Sequence, residues 1–372
     1  MSSPNYIYRY YDLIQTNLEN SETDAPHCQF NERRNQEFLK NPEDYKFSIT
    51  RFMIDTPSLP LFRPIIRYLE PTDSLISPDI TVYSITLKLN TADDSSSSQQ
   101  YVYWETQDET KTAPSAPYYN SNGLQDNTTG YYNCQSYSWF LPLINVAFEN
   151  AASALGLTSA PTLLFDSASN LFVLSAPASF YDSASDKYYE IYMNKALYQL
   201  FSSLPSVIVS HSSEYGLNHK NSTNNFKGYS KTSITTDNTT ETDSLMVYGE
   251  YSTLYLWNCV TSIVFTTSNL PIVAANTANP VLTREGEAIA FNNQPNTRRI
   301  VTDLVAGDSY KPYLIYNPSA QYRYVSLTQG SPLRDIDIQV YFLDRKGQLN
   351  EFKLSSGSTA TIKILFEKKI KT

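Results

Sequence analysis

The sequence predicts an all-β protein: a jelly roll, that is, an antiparallel β-sandwich, with long loop insertions and one or two short helices. Three observations carry this. Apolar residues recur at every second position in short runs. The clearest run is Asp335 to Phe342, where Ile336, Ile338, Val340 and Phe342 alternate with Asp335, Asp337 and Gln339; this is the mark of a strand buried on one face. The chain holds 30 Tyr and 17 Phe in 372 residues, and aromatic residues suit strands. No strand–helix–strand alternation occurs, which argues against a parallel α/β sheet.

The elements follow in order. Residues 1–30 read as an extended N-terminal arm in which Tyr6, Tyr8, Tyr10 and Tyr11 are separated mostly by polar residues. Tyrosine offers a large ring and a hydroxyl at low rotamer cost, so these four are the expected subunit-contact residues. Residues 31–372 are expected to form the jelly-roll body, with an inserted loop region over roughly 91–250. Asn41-Pro42-Glu43-Asp44 marks a turn. In the strand that follows, Tyr45, Phe47 and Ile49 share one face and Phe52 and Ile54 the other, as if both faces were buried. Ile80 to Asn90 alternates with a slip at Tyr83, which predicts a bulge.

Asp93 to Gln100 is Ser-rich and reads as a loop tip, and Ala113 to Gly130 as a surface excursion. A helix is expected after Ser138 as cap, with Pro142 in its first turn and Gly156 as its stop. Leu164 to Ser169 is echoed by Phe180 to Ser185, which predicts two hairpins. Asn194 to Leu204 is a short helix, and His211 to Ser244 a second long loop. After a buried strand around Ile263 and Phe265, Arg299 to Leu304 and Tyr313 to Ile315 add two more. Asp335 to Lys369 closes the chain as a β-meander. Eight to eleven strands are expected in all.

The formal net charge is −9. Coating nucleic acid needs clustered Lys and Arg to displace phosphate counterions, so strong nucleic-acid binding is not expected. Lys368, Lys369 and Lys371 form a small basic tip, the one stretch expected to face a genome or partner. The strongest apolar run, Trp139 to Phe148, has ten residues, about half a membrane span; no membrane insertion is expected. Cys28, Cys134 and Cys259 fit neither a disulfide framework nor zinc spacing, and point to a reducing compartment. The Asn-x-Ser/Thr matches at Asn127, Asn221 and Asn238 read as chance.

Chemistry is sparse. His27 lies in the arm, and His211 and His219 lie in a polar loop, where a Ser/His/Asp triad lacks a packed scaffold. No P-loop, GxGxxG, HExxH or CxxC occurs. Asp335 and Asp337 fall on the outer face of an amphipathic strand. No enzyme, cofactor or metal is expected.

Three groups of residues carry a family resemblance. They are Phe30-Asn31-Glu32 with Arg34-Asn35-Gln36, followed by Asn41-Pro42, Tyr45, Ser48-Ile49 and Arg51-Phe52. Next come Leu256-Trp257-Asn258, Ser262 to Thr266 and Leu270-Pro271. The third is Ile336-Asp337-Ile338, Asp344, Gly347 and Ile362 to Phe366. Together they resemble the penton-type minor capsid proteins of Polinton-like viruses, virophages and adintoviruses, distant counterparts of the adenovirus penton base. The resemblance implies a jelly-roll subunit of an icosahedral virion. It would assemble with itself as a pentamer beside a major capsid protein. No Arg-Gly-Asp occurs, so an integrin contact is not implied. The competing expectations are a major coat protein and a non-catalytic attachment or glycan-binding module. The latter would expose Tyr118 and Tyr119 or Tyr131 and Tyr132.

Overall fold

The computed structural model describes residues 8–18, 25–57, 59–67, 77–91, 95–114, 125–177, 180, 187–208, 226–228, 244–273, 275–276, 281–284, 287–290, 297–305, 313–317, 323–328 and 330–369. The chain divides into two compact units, residues 1–60 with 259–372, and residues 61–258. The first unit opens with strands β1 (Tyr8–Thr16), β2 (Gln29–Arg33) and β3 (Tyr45–Asp55). The second unit follows in sequence with β4 (Ile80–Thr91), β5 (Ser95–Tyr103), α1 (Tyr137–Ala154), β6 (Thr162–Asp166), β7 (Leu171–Pro177) and β8 (Lys187–Met193). It ends with α2 (Lys195–Leu200), β9 (Ser206–Ile208), β10 (Phe226–Gly228), β11 (Ser244–Tyr248) and α3 (Leu254–Trp257). The first unit resumes with β12 (Val260–Thr267), β13 (Ala275–Asn276), β14 (Val281–Arg284), β15 (Glu287–Ala290) and β16 (Thr297–Val305). β17 (Tyr313–Tyr316), β18 (Val325–Ser326), β19 (Asp335–Asp344), β20 (Leu349–Glu351) and β21 (Thr359–Lys368) complete it.

In the first unit two antiparallel sheets enclose one core. One sheet runs β1-β21-β3-β17, and the other β13-β16-β12-β19-β2. Numbering the eight principal strands β1, β2, β3, β12, β16, β17, β19 and β21 in chain order, the sheets read 1-8-3-6 and 2-7-4-5. That is jelly-roll connectivity, two interlocked Greek keys. Inward residues alternate along each strand and meet in the middle. Phe52 and Phe265 touch edge to face with ring centroids 4.6 Å apart, and Ile338, Val340, Ile364 and Phe366 are fully buried beside them.

This topology corrects two expectations. The closing segment is not a meander: β19 and β20 pair with each other, but β21 lies in the opposite sheet between β1 and β3. The turn at Ser355–Ser358 therefore changes sheet instead of making a hairpin. β3 is not buried by two opposite apolar faces either. Its register against β21 shifts between Lys363↔Arg51 and Ile364↔Ile49, so Thr50 is an extra residue. That bulge returns Phe52 and Ile54 to the inner face shared by Phe47 and Ile49, and all four are buried.

The second unit stands where loops were expected over roughly 91–250. It has its own core. A five-stranded sheet runs β5-β4-β8-β10-β9 and a three-stranded one β11-β7-β6. Of the stretch Asp93 to Gln100, expected as a loop tip, Ser95 to Gln100 belongs to the edge strand β5, because its backbone pairs with β4 from Ile85 to Asn90. The bulge expected near Tyr83 is present as a register shift between Ile80 and Ser84. α1 buries Phe140, Leu143, Ile144, Ala147, Phe148 and Ala151. Its cap is Ser136, not Ser138: the Ser136 hydroxyl accepts the Ser138 N–H. Pro142 accordingly sits inside the helix rather than in its first turn.

Gly156, at φ +70°, takes the left-handed conformation just past the helix. The Asn145 side chain bonds both the N–H and the carbonyl of Leu163, tying α1 to β6. β6 and β7 form the first expected hairpin; the echo at Tyr181 to Ser185 lies outside the described residues. Asn194 caps α2 through the Leu197 N–H.

Candidate assembly surface

One face of the first unit's β1-β21-β3-β17 sheet lies on the core; the other is exposed along β1 and β17 and covered between them, where Leu365 and Ser48 are buried. β1 alternates strictly, so Tyr8, Tyr10, Asp12 and Ile14 face outward, and Arg9, Tyr11, Leu13 and Gln15 face inward. Tyr8 and Tyr10 are each 52% exposed and Ile14 70%. Cross-strand register places Asp12 beside Lys363, and Lys363 beside Arg51. The Asp12 carboxylate accordingly meets Arg51 Nη2 at 3.0 Å and Lys363 Nζ at 3.4 Å. Nearer the start of β1, Lys46 Nζ lies 3.1 Å from Glu367 and 3.9 Å from the centroid of the Tyr324 ring. Burial, then the hydrogen bond to Glu367, hold the Tyr324 hydroxyl above its usual pKa.

Of the four tyrosines expected at subunit contacts, Tyr6 lies outside the described residues. Tyr8 and Tyr10 are on the exposed face. Tyr11 belongs to this chain's own core edge, because strand alternation turns it inward. Its ring meets Phe38 at 5.0 Å and Phe366 at 5.9 Å, and the Arg34 guanidinium covers it at 5.2 Å. The arm is therefore a sheet strand over Tyr8–Thr16. Lys371 also lies outside the described residues. Lys369 differs from the free tip expected: its ammonium bonds the carbonyls of Glu43 at 2.8 Å and Leu327 at 3.1 Å. Lys368 is the terminal residue of β21, paired with Tyr45.

The opposite end of the same sheet carries residues the sequence did not flag. β17 presents Tyr313 and Ile315, 49% and 59% exposed, and Val305 at the end of β16 is 81% exposed. Between β16 and β17 lies a cavity of about 190 Å³ lined by Phe52, Ile263, Leu304, Val305, Leu314 and Ile315. Asp303 and Arg323 pair at 2.9 Å beside it. Alternation alone located these strands but gave no sign that their outer residues bordered a recess.

Other candidates resolve into structure. His211, His219, Tyr118 and Tyr119 lie outside the described residues. His27 stacks edge-on against Tyr341 and contacts the Val340 carbonyl at 2.8 Å. Asp337 is buried, not on a solvated face. Its carboxylate accepts the Thr267 hydroxyl and the N–H groups of Ser268 and Asn269, each at 2.7 Å. Tyr131 and Tyr132 are no exposed platform in the second unit. Tyr131 donates to Asp79 at 2.7 Å and Tyr132 to the Pro78 carbonyl at 2.9 Å. Burial pushes the Asp79 carboxyl above its usual range, with the Tyr131 bond pulling down and Glu105 pushing up.

Cys28, Cys134 and Cys259 form no disulfide, and burial pushes the Cys28 thiol up to about 12. Asn127, one of the chance glycosylation matches, is buried. No helix among the described residues is long and apolar enough to cross a membrane.

Comparison with known proteins gives a consistent result. The family model described as Sputnik minor capsid protein V18/19 matches residues 9–368. Protein V18 of Sputnik virophage, named as uncharacterized, is 32% identical over 155 residues, which is 41% of this chain and 84% of that protein. A chain in the cryo-EM structure of Sputnik virophage aligns with a TM-score of 0.78 at 24% identity, over 97% of this chain and 98% of that one. The crystal structure of the mavirus penton protein aligns with a TM-score of 0.59 at 13% identity, over 97% and 99%. These two likenesses establish the shared fold.

Proposed function

The chain belongs to the family of Sputnik minor capsid proteins V18/19 and is a structural protein of the virus capsid, and from that premise we propose that it is the vertex subunit, closing as a ring of five copies set among the major capsid protein. The observation that carries this is the family match from residue 9 to residue 368, which spans the whole eight-strand jelly roll together with the inserted unit. The fold shared with a penton protein supports the vertex position over the facets. A net charge of −9 supports a shell role in which this subunit does not coat the genome. Three cysteines that form no disulfide, two of them buried, support assembly in a reducing compartment of the host cell.

Gold-labelled antibody against this protein, applied to intact virions, tests the position. Label confined to the five-fold vertices is the expected result. Label spread evenly over the facets would refute the vertex role and favour a coat role.

A further inference from the structure

We propose that the two ends of the β1-β21-β3-β17 sheet are the two halves of the ring contact. Strand β1 of one copy docks on β17 and the recess beside it in the next copy. This rests on the vertex reading above and names the surface that reading requires.

The argument begins with sheet edges. Among the described residues no strand pairs with the outer edge of β1 or of β17. Exposed edges are normally blunted by Lys, Pro, a bulge or shortness, because their free N–H and C=O groups recruit other chains. β1 has no Lys, no Pro and no bulge, and its two charged residues are engaged within the chain, Arg9 with the Phe38 carbonyl and Asp12 with Arg51 and Lys363. It reads Tyr-Arg-Tyr-Tyr-Asp-Leu-Ile-Gln-Thr and pairs with β21 through nine residues without a register break. Its outer face projects Tyr8, Tyr10 and Ile14 into solvent.

The far end of the sheet is different in shape and similar in chemistry. β17 is short, and the adjoining surface is a recess walled by Leu304, Val305, Leu314 and Ile315. Charges near both ends already have partners: Asp12 with Arg51 and Lys363, and Asp303 with Arg323. Neither end therefore presents an unpaired charge that would repel the other.

Apolar side chains standing out from the outer face of β1 and an apolar recess beside β17 fit a second copy in head-to-tail order. A β1-to-β1 contact leaves both recesses empty, and a β17-to-β17 contact leaves both projections in water. The heterologous arrangement uses both edges of every copy, and such contacts close into a ring where the rotation between neighbours divides a full turn, and run on as a filament where it does not.

Two charge insertions on exposed positions test this, Ile14→Lys on β1 and Ile315→Lys on β17, with light scattering of the native protein, of each variant, and of their equal mixture. Circular dichroism melts check that each variant is folded. The native protein is expected to form a ring and each variant to fall to single-chain mass. Mixing must then yield a species of twice that mass and no ring, because the pair retains one intact β1 and one intact β17 that can meet once. Rings formed by either variant, or a mixture that stays at single-chain mass, would overturn the proposed contact while leaving the vertex role standing. A native protein that stays monomeric both in solution and when combined with the major capsid protein would overturn the vertex role and this contact with it.

Discussion

Asp337 holds the outward position of an alternating strand and has the burial of a core residue. The sequence shows the first property and hides the second. Its partners, Thr267 and the Ser268 and Asn269 N–H groups, come from the end of β12, about seventy residues away in sequence. A local pattern cannot reveal a partner at that distance. Replacing Asp337 with Ala leaves three polar groups without their acceptor, so Asp337→Ala is expected to cost about 2–4 kcal/mol; a urea titration whose midpoint matches the native protein would refute this. Tyr11 teaches the same lesson in the other direction. The tyrosine-rich run suggested four equivalent contact residues, but alternation separates Tyr8 and Tyr10 on the exposed face from Tyr11, which packs on Phe38 and Phe366. That division was present in the spacing and needed only the arm to be recognised as a strand.

At the level of elements, alternation found most strands and the two longer helices, while register and sheet membership escaped it. The two sides of β3 look equally apolar in sequence because the bulge at Thr50 is invisible until β21 is laid against it. The run from Asp335 to Lys369 looks like a meander because consecutive strands usually neighbour each other; here β21 is claimed by β1 and β3 instead. Ser95 to Gln100 was hidden by composition, since an edge strand needs a backbone partner more than apolar side chains. Helix α1 yields a prediction of its own. Pro142 is exposed and lies in the sixth helical position, where its ring removes the hydrogen bond that the Ser138 carbonyl would accept. Pro142→Ala is therefore expected to stabilise the protein by about 1–3 kcal/mol, read as a higher urea midpoint; a lower one would mean the proline is required for the helix to start where it does.

On the scale of the whole molecule, the unit at 61–258 is one continuous stretch with a core built around Phe62, Tyr83, Phe140, Phe172 and Trp257. It is expected to fold when produced alone, with a cooperative thermal melt and a near-ultraviolet signal from its buried aromatic rings; a gradual, non-cooperative melt would show that it depends on the rest of the chain. The jelly roll is the opposite case. Its third and fourth principal strands, β3 and β12, flank that entire stretch, and its eighth strand, β21, lies between its first and third. During synthesis this has an order built into it. The continuous unit is complete on the ribosome while β1 and β3 still lack the strand that joins them. A nascent chain halted anywhere before residue 359 lacks β21, and β1 then has no neighbour in its sheet. On the proposed ring contact, incomplete translation products are expected to be excluded from the growing shell, without any dedicated inspection step.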